Sequence, residues 1–180
     1  MEKLNILIVD DRQENIIALE ALLEREDINL FSTTLPNEAL KMAWEMDIAI
    51  ALVDVQMPEM DGFELVEILK GNPRTKDILV IFVTAISTDA KFAVRGLNSG
   101  AIDYLYKPLN PYVTSAKVDS FIQFVRTQRE MYKKIQPLTA ELDEKYVDFW
   151  PEPAKTALAN YRHSVCLELD AFGYDTRFRY

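Results

Sequence analysis

Ile78-Leu79-Val80-Ile81-Phe82-Val83 is an unbroken apolar run that ends in Thr84-Ala85. A strand with one wet face alternates apolar and polar residues, so a continuous run marks a central strand covered on both faces, as in a parallel sheet. Two earlier stretches read the same way. Asn5-Ile6-Leu7-Ile8-Val9 leads into Asp10-Asp11, and Ile48-Ala49-Ile50-Ala51-Leu52-Val53 leads into Asp54. Shorter strands are expected at Asn29 to Thr33 and Ala101 to Tyr106. Between them the period changes to that of amphipathic helices. The first has Ile16, Leu19, Leu22 and Leu23 inward. The second, opened by Pro36 and Asn37, has Ala39, Leu40, Ala43 and Trp44 inward. The third buries Phe63, Leu65, Val66 and Leu69 and stops near Gly71-Asn72-Pro73. A fourth is expected from about Thr88 to Asn98. Alternating strands and helices predict an α/β fold, a doubly wound five-stranded parallel sheet with helices on both faces.

The composition narrows the class. The chain has 180 residues, 49% hydrophobic and 27% charged, with a formal net charge of −9. That charge argues against a nucleic-acid surface, which needs a basic face. No apolar run approaches the roughly 20 residues that span a bilayer, so no membrane insertion is expected. The opening Met1-Glu2-Lys3-Leu4 runs into a strand without a secretory n-region, and a cytoplasmic location is expected. One cysteine, Cys166, excludes an internal disulfide framework and is read as an inert core thiol.

In an open parallel sheet the carboxyl ends of the strands form the ligand crevice. Here they carry Asp10, Asp11 and Asp54, and a third strand end brings Lys107-Pro108. A lone aspartate at a strand end is often just a helix cap. Three close together repel one another and need a cation to stay ionised. Oxygen ligands without His or Cys favour a hard divalent ion, Mg²⁺. A lysine opposite them can hold an incoming anion. An aspartate carboxylate is also a competent nucleophile toward phosphorus. The set is suited to phosphoryl transfer.

Taken together, Asp10-Asp11, Asp54, the loop Met57-Pro58-Glu59-Met60-Asp61-Gly62, Thr84-Ala85, Tyr104 and Lys107-Pro108 resemble the receiver domains of two-component response regulators. The likeness covers roughly residues 3 to 130. It implies the flavodoxin-like strand order 2-1-3-4-5 and Asp54 as phosphoacceptor, fed by a sensor histidine kinase or a phosphotransfer protein. Mg²⁺ would be held by Asp11, Asp54 and the backbone carbonyl of Gln56, with Asp10 acting partly through water. Lys107 and the Thr84 hydroxyl would take phosphoryl oxygens. Pro108 would follow a cis bond. Thr84 and Tyr104 would form the switch, and Gln56 and Ile86 would flank the path of attacking water. The implied role is a phosphoacceptor signalling domain that assists its own phosphorylation and dephosphorylation. Gly62 is read as turn chemistry.

Rival readings lack their residues. A haloacid-dehalogenase-type phosphatase needs a second acid two residues after the first, where Gln56 stands. A flavodoxin-like cofactor binder needs a Ser/Thr/Gly-rich phosphate loop, and Asp10-Asp11-Arg12-Gln13-Glu14 is the electrostatic opposite. His163, the one histidine, has no phosphotransfer motif around it.

The division expected is a receiver over 1–130 and a helical extension over 131–180. A helix from about 112 to 135, with Val118, Phe121, Ile122 and Val125 inward, is punctuated by Pro137. The stretch 136–180 holds eight aromatics, more than disordered tails carry. Two helical periodicities, separated by Pro151 and Pro153, suggest a hairpin that cannot bury both faces alone. A homodimer through the long helix and this extension is the expectation, with a tail folded back as a lid on its own receiver as the alternative. For the function, the alternative to a response regulator is a receiver module cut from a hybrid kinase or a multidomain regulator, acting as a phosphorelay intermediate.

Overall fold

In the computed structural model of the chain, the described residues are 3–85 and 100–146, and beyond 137 the description is of backbone alone. The chain divides into two compact units, residues 1–122 and 123–180. The first holds five parallel strands: β1 (Leu4–Val9), β2 (Ile28–Thr33), β3 (Ile48–Asp54), β4 (Leu79–Thr84) and β5 (Asp103–Tyr106). Their order is β2-β1-β3-β4-β5. The helices are α1 (Gln13–Leu23), α2 (Pro36–Glu45), α3 (Gly62–Gly71) and α4 (Pro111–Tyr146), the last beginning in one unit and ending in the other. The helix expected over Thr88–Asn98 and the stretch 147–180, with the second half of the expected hairpin, His163 and Cys166, lie outside the described residues.

The apolar runs fall where the sheet is covered. All seven residues of β3 are buried, and it pairs with β1 on one side and β4 on the other. Each large apolar side chain so placed, such as Leu52 or Phe82, contributes about 1.5–3 kcal/mol over leaving it in water. β5 is an edge strand of four residues, shorter than expected, starting at Asp103 rather than Ala101. Helix ends follow their local chemistry. Pro36 opens α2. Asp61 caps α3 in a reciprocal capping box with Glu64, the two hydrogen bonds measuring 2.8 and 3.2 Å.

Two expectations are corrected. Trp44 is 41% exposed and not on the inner face of α2, whose buried residues are Pro36, Ala39, Leu40 and Ala43. Pro137 does not end the long helix, which runs through it to Tyr146. A proline removes one hydrogen bond and crowds the preceding turn. Of the residues expected inward on α4, Val118, Ile122 and Val125 are buried and Phe121 is half-buried.

Candidate functional site

The strand order sets the site. β1 and β3 are neighbours, so their carboxyl ends bring Asp10 and Asp54 together, and β4 carries β5 alongside with Lys107 just beyond it. Asp10 is 1% exposed and Asp54 4%, while Asp11 stands exposed at the rim. Carboxylate oxygens of the three lie within 4.8 Å of one another. The Lys107 ammonium donates to Oδ2 of Asp10 at 2.7 Å and to Oδ1 of Asp54 at 2.9 Å. The Lys107–Pro108 peptide is cis, and the Lys107 N–H donates to the Thr84 carbonyl at 2.8 Å. These contacts hold the lysine at the head of the sheet.

Asp10 serves two ends. Its Oδ1 accepts from the Arg12 N–H at 3.0 Å and from the Asn15 side-chain amide at 2.7 Å, at the entry to α1, while Oδ2 meets Lys107. Asp10 is therefore not a helix cap: the N-cap of α1 is Arg12, which has no side-chain cap, and the Asp10 carboxylate orders the entry to the helix while it faces the site. Asn15 was not found in the sequence reasoning. Its only signal is an amide one helical turn after Asp11.

Burial pushes the Asp54 carboxyl above its ordinary range. The hydrogen bond and charge of Lys107 oppose that, and the charges of Asp10 and Asp11 add to it. Burial would lower Lys107, but its hydrogen bonds to Asp10 and Asp54, with their charges, outweigh this and hold it above its ordinary value. The result is a crowded acidic cluster with one firmly protonated ammonium. Three carboxylates, no thiol and no imidazole form a hard-oxygen donor set that fits a divalent cation such as Mg²⁺.

The loop after Asp54 is tightly built. The Met60 N–H donates to the Pro58 carbonyl at 2.8 Å, a γ-turn about Glu59, whose φ is +68°. That left-handed conformation is uncommon for a residue with a side chain and is held by its surroundings. Those surroundings are the capping box and the Gly62 N–H, which donates to the Val55 carbonyl at 3.0 Å. Gly62 is not the turn residue expected. It is the first residue of α3, with a φ outside the left-handed region. A Cβ there would stand 2.2 Å from the Asp54 carbonyl oxygen. Its absent side chain lets α3 start against the end of β3.

The other expected residues are placed as follows. Thr84 is buried at the end of β4 and is in register with Tyr106. Tyr104 is half-buried on β5 beside Phe82. Gln56 is exposed at the head of the loop, and Ile86 lies outside the described residues.

Comparisons with known proteins agree in kind. The profile of the response regulator receiver domain matches residues 6–119. The chain is 39% identical over 119 residues to the response regulator PleD of Caulobacter vibrioides, covering 66% of this chain and 26% of that protein. It is 32% identical over 139 residues to the transcriptional regulatory protein SrrA of Staphylococcus aureus, covering 77% of this chain and 55% of that one. The chain thus spans about a quarter and about half of the length of these relatives. Among solved structures, a CheY-like receiver domain protein from Methanospirillum hungatei is similar at TM-score 0.63 and 28% identity, over 71% of this chain and 99% of that one. The receiver domain of a histidine kinase from Syntrophus aciditrophicus is similar at TM-score 0.61 and 32% identity, over 67% and 91%.

Proposed function

Because the chain belongs to the response regulator receiver domain family, we propose that Asp54 accepts a phosphoryl group from a phosphohistidine on a sensor kinase or phosphotransfer protein. The observation that carries this is the contact of the Asp54 Oδ1 with Lys107 at 2.9 Å, inside the acidic cluster formed with Asp10 and Asp11. The Asp54 carboxylate attacks phosphorus and the donor imidazole leaves, which gives an acyl phosphate. Lys107 moves from the carboxylates to a phosphoryl oxygen and stays charged throughout. Thr84 offers its hydroxyl to another oxygen. Asp10, Asp11, Asp54 and the Gln56 carbonyl would hold Mg²⁺, which neutralises charge on the transferred group when bound. Asn15 keeps Asp10 oriented while its partner changes.

Phosphorylation adds roughly −1.5 to −2 charge and three acceptor oxygens. We read Thr84 and Tyr104 as the pair that responds, with the signal passed by protein contact. In this reading residues 1–130 are the receiver and 131–180 an appendage, the location is cytoplasmic, and two copies associate through α4 and the appendage. Among the described residues no helix is long and apolar enough to cross a membrane. A second reading, a module of a hybrid kinase or multidomain regulator, is supported by the partial span of the relatives and by the kinase receiver among the similar structures.

The test is acetyl phosphate with Mg²⁺. The unaltered chain is expected to form a base-labile acyl phosphate and Asp54→Asn none. Native incorporation in Asp54→Asn would move the acceptor elsewhere.

A further inference from the structure

Four aromatic rings run from the acceptor strand to the surface. Phe63 follows Gly62, which abuts the Asp54 carbonyl. Its ring lies 4.8 Å from that of Phe82, edge to face at 61°. Phe82 lies 5.5 Å from Tyr104 at 38°. Tyr104 stacks on Tyr106 at 6.2 Å, nearly parallel at 12°. Phe63 and Phe82 are buried, Tyr104 is half-buried, and Tyr106 is 52% exposed.

Alternate residues of a strand share a face, so two tyrosines at i and i+2 meet by geometry alone, and covering an edge strand would be the plainer role. Two facts make the pair more than a cover. Tyr106 is the cross-strand neighbour of Thr84, and Tyr104 that of Phe82. Both residues read as the switch therefore have Tyr106 as a neighbour. Tyr104 also cannot change rotamer without leaving a ring partner, and Phe82 is fixed in the core. The exposed ring is the one that gives.

We propose that Tyr106 is a positioning residue of the switch: its stack with Tyr104 favours the arrangement in which Lys107 is engaged by the unmodified Asp10 and Asp54 carboxylates. This rests on the phosphoacceptor reading of Asp54. Moving Tyr104 in response to phosphorylation breaks the stack, so the ring pair sets part of the free energy that the phosphoryl group must supply. One aromatic pair is equivalent to about two- to tenfold in such an equilibrium.

The experiment titrates the full chain with beryllofluoride in the presence of Mg²⁺. Tyr106→Ala is expected to bind about two- to tenfold more tightly than the unaltered chain, the equivalent of one ring pair. Tyr106→Phe keeps the ring and is expected to bind as the unaltered chain does. Added to Tyr104→Ala, Tyr106→Ala is expected to change nothing further. Unchanged binding in Tyr106→Ala, or the same gain in the Tyr104→Ala background, overturns the proposal. An unaltered chain that binds no beryllofluoride overturns the acceptor reading and the switch role with it. Tyr104 ring-proton NMR shifts that still move in Tyr106→Leu would then show that the reading failed and the ring contact did not.

Discussion

Gly62→Ala adds a single methyl group where the structure has no room for it. The new Cβ would lie 2.2 Å from the Asp54 carbonyl oxygen and 3.0 Å from both the Asp54 carbonyl carbon and Val55 Cα. All three are backbone atoms of β3 and its exit, so no rotamer change relieves the clash. An ordinary contact requires the start of α3 and the end of β3 to part by about 1 Å. Alanine has favourable effects of its own. It is better than glycine in a helix by about 0.8–1.0 kcal/mol, and it restricts the unfolded chain by about 0.4–1 kcal/mol. Overpacking costs about 1–3 kcal/mol, and here it falls on two elements fixed by the sheet and the capping box. Because only backbone can give way, the cost falls at the upper end of that range, about 3 kcal/mol, and net destabilisation of about 1–2 kcal/mol is expected. The functional effect is larger, since a displacement of about 1 Å near reacting groups costs on the order of a hundredfold in rate. Urea denaturation gives the first quantity and acetyl-phosphate incorporation the second. Gly71→Ala is the control, at the other end of the same helix with nothing within 4 Å of its added Cβ. It is expected to be neutral or to stabilise by about 0.4–1 kcal/mol. If Gly62→Ala matched Gly71→Ala in both assays, the close approach to Asp54 would have no consequence and the argument would be wrong.

Asp11→Ala removes the exposed member of the acidic cluster and is expected to weaken Mg²⁺ binding by about tenfold or more, measured by calorimetry. Unchanged affinity would place the ion elsewhere. The raised Asp54 pKa has a definite sign: the fold binds a proton there more readily than the unfolded chain does. Its ionised form therefore opposes folding above the folded pKa, and that penalty is relieved as pH falls from there toward the unfolded value. Asp54→Asn is expected to raise the urea midpoint at neutral pH and to remove this part of the pH dependence. Mg²⁺ affinity is expected to fall as pH drops through the same window, because proton and ion compete for one carboxylate.

The sheet was legible because β3, β4 and the part of β1 after Asn5 are almost wholly buried, and no polar residue interrupts their runs before the strand-end Asp or Thr. Their order came only as what the resemblance carried by the strand-end residues implies. The acids and the lysine were legible because each stands where a buried strand meets solvent, an unfavourable place for a charge unless something uses it. Other features have no one-dimensional trace. Trp44 keeps the helical spacing of a core residue, yet it stands at the edge of the buried face of α2 and is exposed. Gly62 sits among Pro, Glu and Asp, in a composition that signals a turn equally well. Its real constraint is the backbone of a strand eight residues earlier. Asn15 reaches Asp10 only because α1 begins where it does. The Tyr104–Tyr106 stack could be suspected from strand spacing, but its place beside Thr84 needs the register of β4 with β5.

The bond between Lys107 and Asp10 spans 97 positions of sequence. At the usual pace of synthesis, about 5–20 residues per second, the second partner emerges about 5–20 s after the first. β3, with Asp54, is finished well before β5 is made. During that interval the nascent chain has its acids but not the ammonium that joins them, and no local hairpin can substitute, because parallel strands pair only across long connections. Long-range closure of this kind is also the slow part of folding. The cluster is therefore assembled by the last strand to arrive, and a chain cut short before β5 carries Asp10 and Asp54 without the lysine that joins them.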